Sequence, residues 1–365
     1  MVIGFKREFI PSQEQKEYLE RLFNIRNWYW NKLHEVMQNE SGRGSKLSCI
    51  YKITEIYNTA PDYFDTFHTR MLRGIARAYS EAWKACFHKI RKAPKEHKRD
   101  LGNHASVTFD DIGTLKPSIT CSEHKELALK NLLLCEPLPS DAISYKSVCF
   151  SRHNGKYFIS GTYECPDRIK HSKEGQIGLD LGIKTFAVDN TGKEYKVPKR
   201  ILRIQQRINK LQRALAKKQE RSAKRQRVIT KLEKAYTRKS NIVRDFTEKL
   251  STQLLEGHSL IALETLDFVQ WRKGQGKKGN NKLAASQVGY FVQRLKAKSV
   301  FYPDCKLVFI DPYYKSTQTC SSCGNVKPMK LSERTYICPH CGMILDRDQN
   351  AAVNILAEAV RSLSV

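Results

Sequence analysis

Four cysteines constrain this chain more than any other feature of it. Cys320 and Cys323 form one Cys-x-x-Cys pair; fourteen residues later Cys338 and Cys341 form a second, and each pair is followed by a glycine, Gly324 or Gly342. Four thiolates at this spacing suit tetrahedral zinc, and a closed set leaves no open coordination position, so the expected role is structural. A thioredoxin-like motif would need a single pair in a βαβ setting, which is absent. His340 lies between the ligands and could replace one, but four cysteines make that unnecessary. Five residues after Cys341 begins Asp346-Arg347-Asp348, at the head of an alanine-rich segment. Metal knuckles this close to a pair of acids raise the question of whether either acid does chemistry.

Charge narrows the partner. The 365 residues carry 64 Lys and Arg against 37 Asp and Glu, a formal net charge of +27. One sign this dominant points to a polyanion such as nucleic acid. A membrane surface is not expected, because no strongly apolar amphipathic face, lipidation signal or run of eighteen apolar residues is present. The opening MVIGFKREFI lacks the pattern of a secretory signal, so a cytoplasmic, reducing setting is expected. The seven scattered cysteines (Cys49, Cys86, Cys121, Cys135, Cys149, Cys165 and Cys305) then read as core fillers.

Along the chain, VIGFKREFI alternates as a strand. Ser12 and Gln15 form a capping box for a helix bearing Leu19, Leu22, Phe23, Trp30, Leu33 and Met37. A second long helix is expected from about Asp62 to Lys92, and Lys95 to Asp167 is a series of short β-prone runs. QIGLDLGI, TFAVDN and the turn at Thr191-Gly192 predict a three-stranded meander. Ile201, Ile204, Ile208, Leu211 and Leu215 form a coiled-coil-like seam, and a second helix after KKQERSAK completes an antiparallel hairpin. From Thr191 to Ser240 this region has 18 Lys and Arg against Glu194, Glu220 and Glu233. Such one-sided charge repels itself unless an anion lies against it, so the hairpin reads as a phosphate-tracking surface. SLIALE and KLVFID are further strands, Trp271 to Lys282 a mobile loop, Leu283 to Ser299 a helix, and NAAVNILAEAV a closing helix.

Acids fall at informative places in that order of elements. Asp180 lies inside one apolar strand, Glu264 ends another, and Asp346 and Asp348 start the last helix. Burying a carboxylate in an apolar strand is costly unless it is paired or metal-bound. Three brought together would bind hard cations, magnesium or manganese, and two such ions can clamp a scissile phosphate. Taken singly, each acid also has a plain structural role: a turn at Gly182 for Asp180, a strand end in solvent for Glu264, and the helix N-terminus for Asp346 and Asp348. Asp189, Asp267 and Asp311 also follow strands, where turns suit them better.

With KREFIPSQEQKEYLERLFNIRNWYWN, GLDLGIKTFAVD, IALETLDF and KSTQTCSSCG…YICPHCG…DRDQNAAVNIL in place, the chain resembles the TnpB family, insertion-sequence-encoded relatives of type V CRISPR effectors, over nearly its full length. The resemblance implies an α/β and α+β multidomain protein. Residues 1–168 would be a β-barrel-like wedge module with a helical recognition insert at about 12–95. Residues 169–311 would open an RNase H-like (RuvC) nuclease domain that includes the basic hairpin 198–256. A zinc ribbon at 312–345 and the last nuclease helix at 346–365 would follow. The implied activity is RNA-guided, magnesium-dependent cleavage of double-stranded DNA beside a short recognised motif. Asp180, Glu264 and Asp348 would be catalytic, with Asp346 as the rival of Asp348, and Cys320, Cys323, Cys338 and Cys341 would bind zinc. Guide RNA and target DNA are the implied partners, with a monomer expected and nucleoid association when DNA is bound. Where the family often has an aromatic-proline-serine stretch, this chain has Pro312-Tyr313-Tyr314-Lys315-Ser316. A guide-directed repressor that never cuts would be expected to lose Asp180 or Glu264. A transposase would need end recognition, and no dedicated helix-turn-helix or catalytic tyrosine motif stands out.

Overall fold

Alternation along VIGFKREFI places Phe5 and Phe9 on one side of strand β1 (Val2–Ile10), and both are buried. In the computed structural model, residues 1–40, 44–61, 70–97, 104–110, 132–182, 185–266, 287–330 and 333–364 are described. They divide into two units, Met1–Asp167 and Arg168–Val365. Outside the described residues lie Cys121, Asp267, the start of the expected second helix, the run PSIT, and Trp271 to Ser286.

In the first unit β1 belongs to an antiparallel sheet with β2 (His104–Asp110), β3 (Leu133–Leu134), β4 (Ser144–His153) and β5 (Lys156–Glu164), in the order β2-β4-β5-β1-β3. No pairing of β2 with β3 closes this sheet into a barrel among the described residues. Three helices intervene between β1 and β2: α1 (Gln13–Met37), α2 (Lys46–Asn58) and α3 (Arg70–Phe87). Ser12 accepts from the Gln15 amide and the Gln15 side chain accepts from the Ser12 amide, the reciprocal cap read from the sequence. Helix α2 was not read from the sequence, although Ser45 caps it and Cys49, Ile53 and Ile56 fall on one buried face. Gly74 lets α3 approach β2, since a Cβ there would meet the Thr108 carbonyl oxygen at 2.2 Å.

The second unit is built on a mixed sheet. β6 (Gln176–Leu181), β7 (Ala187–Asp189) and β8 (Glu194–Tyr195) are antiparallel, and β9 (Leu260–Glu264) and β10 (Lys306–Ile310) run parallel to β6, giving the order β10-β9-β6-β7-β8. The two-residue period of a strand gives this sheet two faces of different character. Ile177, Leu179, Leu181, Ile261 and Leu263 face a core completed by Leu250, Leu254 and Leu255 of α5 (Ala223–Gly257) and Phe291 and Leu295 of α6 (Val288–Ser299). Each such fully buried side chain contributes about 1.5–3 kcal/mol. On the other face Ala262 and Ile310 pack against Ile355 and Ala359 of α7 (Arg347–Leu363). Gly178 is required there: a Cβ would lie 2.2 Å from the Ala352 carbonyl oxygen.

Helix α4 (Lys199–Ala216) pairs with α5 as the hairpin. Of the expected seam only Ile201 and Ile208 are fully buried, because α4 packs chiefly on one neighbour and Ile204, Leu211 and Leu215 lie at the margin. Arg203, Arg207, Lys210, Arg213, Lys231 and Lys234 are exposed along the two helices. Between β10 and α7 come the cysteines and a small hairpin of β11 (Thr335–Ile337) and β12 (Ile344–Asp346). Among the described residues no helix is long and apolar enough to cross a membrane.

Candidate active site and cysteine cluster

Register brings two of the three acids together. β6 pairs with β9 through Leu179 and Leu263, so the next residues, Asp180 and Glu264, sit abreast at the ends of adjacent parallel strands. Neighbouring strands are about 4.8 Å apart. By the same two-residue period, Asp180 shares a face with Gly178, and Glu264 shares one with Ala262, which is the face that α7 covers. Small residues at Gly178, Ala262, Ala351 and Ala352 let that helix lie close, and its first turn carries Asp348.

The electrostatics follow from this placement. Burial pushes the Asp180 carboxyl up to about 8; Glu264 and then Asp348 push the same way, and Arg347 opposes them. Burial also raises Glu264, against a hydrogen bond donated by the Ser316 hydroxyl. Asp348 accepts from Arg334 at 2.9 Å and from Arg347 at 2.8 and 3.0 Å. The three carboxylates therefore share one electrostatic environment. Among the described residues the group gathered closely enough to hold a single ion is the four cysteines, whose ligand atoms lie within 4.8 Å of one another, and the three carboxylates do not form such a group. Carboxylates that bracket two ions can be more widely spaced than that.

The rival acids are committed elsewhere. Asp346 caps α7, its Oδ1 accepting from the Asp348 and Gln349 amides at 2.9 and 3.1 Å. Asp189 accepts from the Thr191 amide and hydroxyl, the Lys193 amide and the Tyr195 hydroxyl, which makes it a turn residue. Asp311 accepts from the Tyr313 amide at 2.7 Å, also in a turn.

The cysteines form two matching knuckles. The Gly324 amide donates to the Cys320 carbonyl and the Gly342 amide to the Cys338 carbonyl, with φ of +75° and +73° at the two glycines. Positive φ at these turns favours glycine. Cys320 and Cys341 sulfurs are 3.6 Å apart, as are those of Cys323 and Cys338. A tetrahedral zinc with Zn–S of about 2.3 Å would set sulfurs about 3.8 Å apart, so the donor set fits that ion. The Cys341 amide, donating to the Cys338 sulfur, pulls that thiol down, while hydrogen bonds among the four sulfurs push Cys323 the other way, so the proton is shared unevenly across the set. Fully buried Tyr336 lies beneath, its hydroxyl donating to the carbonyls of Gln318 and Asn325.

Two asparagines tie this cluster to the acids, and the sequence reading missed both. Asn350 Nδ2 donates to the Thr319 carbonyl at 2.7 Å while its Oδ1 accepts from the Ser321 amide at 3.0 Å. Asn354 Nδ2 donates to the carbonyls of Ser316 and Thr319 at 2.8 and 2.7 Å. Buried amides at i and i+4 on an alanine-rich helix were the available signal. Through them α7 holds the Ser316–Ser321 strip, which reaches both Glu264 and the first knuckle. Among the remaining cysteines, Cys49, Cys165 and Cys305 are buried and Cys86 and Cys149 partly so, but Cys135 is exposed, against expectation.

Comparisons with known proteins agree along the chain. A family model described as a probable transposase matches residues 161–273, one described as a Cas12f1-like TNB domain matches 289–355, and one described as a helix-turn-helix domain matches 1–41. That last match, not anticipated from the sequence, falls on β1 and α1. A candidate RNA-guided DNA endonuclease of Streptomyces pristinaespiralis is 28% identical over 97% of this chain and 88% of its own length. The E. coli K12 protein InsQ, of similar description, is 27% identical over 58% of this chain and 56% of its own length. The TnpB-like protein L79 of Acanthamoeba polyphaga mimivirus is 34% identical over 34% of this chain and 24% of its own length. A solved mini-RNA-guided endonuclease, CRISPR-Cas phi3, aligns over 99% of this chain and 92% of its own with a TM-score of 0.47 and 9% identity, too distant to argue from. The three ordered family matches and these relatives support a place for this chain in the TnpB family.

Proposed function

We propose that this protein is an RNA-guided DNA endonuclease that hydrolyses double-stranded DNA beside a short recognised motif, using Asp180, Glu264 and Asp348. The observation that carries the reading is the β6–β9 register, which seats Asp180 beside Glu264 under the helix that bears Asp348. The sheet order, with an antiparallel meander joined to two parallel strands, resembles RNase H-like (RuvC) nucleases, and the relatives' names support the same activity.

The donor set fits magnesium or manganese, since all three side chains offer hard oxygens and their mutual repulsion is relieved by a cation. Bound there, such ions would supply an activated water and stabilise the leaving oxygen. Asp180 and Glu264 hold from the sheet and Asp348 from the helix. Ser316 orients the Glu264 carboxylate, and Arg334 and Arg347 bring two guanidinium groups to the edge of the site. Zinc in the four-cysteine cluster would fix the strip that carries Ser316. The exposed cations of α4 and α5 supply a surface for the guide–target duplex, and the first unit is assigned to guide and motif contacts. The chain is read as a cytoplasmic monomer that engages one guide.

The test is to purify the full chain with the RNA that accompanies it, sequence that RNA, and offer matching double-stranded DNA with magnesium. Cutting by the wild type and intact binding without cutting by Asp180→Ala are expected; equal cutting by the variant removes Asp180 from the reaction. The description of the 161–273 match as a probable transposase keeps strand transfer as a second reading, because one fold serves several phosphoryl transfers. Joined rather than hydrolysed products would select it.

A further inference from the structure

The first unit contains a cavity of about 410 Å³ lined by α1, β1, β2 and β4. Its lining gathers Lys6, Arg26, Arg152, His97, His104 and His153, and no carboxylate among the described residues. A chain of net charge +27 has cations over much of its surface. Here they converge on a concavity, and one of them, Arg26, is oriented by neutral groups.

Arg26 is the anchor. Its Nη1 donates to Asn27 Oδ1 at 2.9 Å and lies 3.0 Å from His97 Nδ1, while its guanidinium carbon sits 4.9 Å from the centre of the Trp30 ring. No carboxylate among the described residues pairs with it. Burial and the neighbouring Arg26 hold the His97 ring down at about 4, so it is neutral near pH 7 and accepts from the guanidinium. The Asn31 side chain fixes His97 through both its backbone amide and carbonyl, at 2.7 and 2.9 Å. Lys6 Nζ lies 4.3 Å from the centre of the Phe158 ring. Arg152 is the exception, paired with Glu20 at 3.1 Å. His104 and His153 are cross-strand partners with ring centres 4.1 Å apart.

A partly buried guanidinium without a counter-charge costs free energy that an incoming anion would offset. The fork of an arginine matches the oxygens of phosphate, and a lysine adds a point charge beside it. A volume of this size admits one phosphate with part of a nucleotide and excludes a duplex. We propose that this cavity is a phosphate-binding site that seats one phosphate group of a nucleic-acid strand on Arg26 and Lys6. The choice of a nucleic-acid source rests on the function proposed above; the phosphate chemistry rests on the cavity alone.

The test uses full-length protein freed of nucleic acid. Inorganic phosphate is titrated and followed by phosphorus NMR line broadening. Short single-stranded RNAs with a 5′-phosphate or a 5′-hydroxyl are titrated by fluorescence anisotropy. Arg26→Gln and Lys6→Gln should each weaken phosphate binding about tenfold or more, the effect of losing a charge-assisted hydrogen bond. Arg21→Gln, an exposed position on the same helix, removes the same charge and should leave binding nearly unchanged. Lys6 is exposed on β1, so its variant carries the test if Arg26→Gln melts early. A preference for 5′-phosphorylated RNA that Arg26→Gln abolishes assigns a terminal phosphate. Equal binding of both RNAs, weakened by Arg26→Gln but not by Arg21→Gln, assigns a backbone phosphate. Equal losses for the Arg26 and Arg21 variants, or no saturable phosphate binding, overturn the site. Asp180→Ala should leave every one of these titrations unchanged, so failure here and failure of the nuclease reading are told apart.

Discussion

The hydroxyl of Ser316, four residues before the first cysteine, donates to the Glu264 carboxylate at the end of β9. This bond opposes the upward push of burial on Glu264. Ser316→Ala should therefore raise the Glu264 pKa further and move the acidic limb of the cleavage pH profile to higher pH. A loss of about tenfold near neutrality is expected, on the scale of a positioned hydrogen bond. Ser316→Thr keeps the hydroxyl and should restore the profile. Single-turnover cleavage against pH gives the answer, and an unmoved acidic limb in the alanine variant removes Ser316 from the site.

Asp346 and Asp348 are two residues apart but should behave oppositely. Asp346→Ala removes a helix cap and should cost about 1 kcal/mol of stability while leaving cleavage largely in place. Asp348→Asn should abolish cleavage with little change in melting. Urea denaturation and a cleavage assay on both variants decide it, and a reversed pattern would exchange their roles.

Gly178→Ala should be among the more damaging small substitutions in the second unit. The new Cβ meets the backbone oxygen of Ala352 rather than a flexible side chain, so α7 must shift. Overpacking of this kind costs about 1–3 kcal/mol. A shifted α7 also displaces Asp348, so cleavage should fall more steeply than stability. Denaturation midpoints and cleavage rates measured on one preparation provide the check.

Removal of zinc should leave the Ser316–Ser321 strip without its anchor. Chelation, or Cys338→Ser, should release metal and expose residues 316–346 to protease, while fragments of the first unit persist. Zinc content should be one ion per chain, and cleavage should fall as it is lost. Full cleavage by metal-free protein would contradict the role given to the cluster.

His97 makes the first unit sensitive to acid. Its folded pKa is about 4 and its unfolded value 6.5, so the unfolded chain takes up the proton first. Stability is therefore complete above about pH 6.5 and falls as pH drops toward 4, by an amount on the order of 1–2 kcal/mol after allowance for its partial exposure. Urea midpoints of wild type and His97→Gln between pH 7 and 4 should converge, and parallel curves would refute it.

Much of this was readable in the residues. β6, β9 and β10 are apolar runs too short to be helices, and the Ser12–Gln15 box marked where α1 begins. Asp180 and Glu264 stood out as charges in such runs, but their adjacency depends on register between strands joined by a long crossover, and no local pattern encodes it. Asp348 was preferred to Asp346 through the family resemblance alone, because no local pattern shows which carboxylate turns back onto its own helix amides. Ser316, Asn350 and Asn354 escaped because their partners, Glu264 and the carbonyls of Ser316 and Thr319, are distant in sequence or lie on bare backbone. The coiled-coil-like seam was overestimated because periodicity reports which side of α4 is apolar and says nothing about how many neighbours cover it.

The crossover between β6 and β9 runs through the whole α4–α5 hairpin before the two strands meet. Contacts this remote in sequence form late, after local helices are in place. Partial unfolding should reverse that order, parting the strands while helical segments still present their lysines and arginines. Under mild denaturant the molecule would keep its grip on polyanions after losing the ability to cut them, so affinity for nucleic acid is a poor witness to an intact cutting centre.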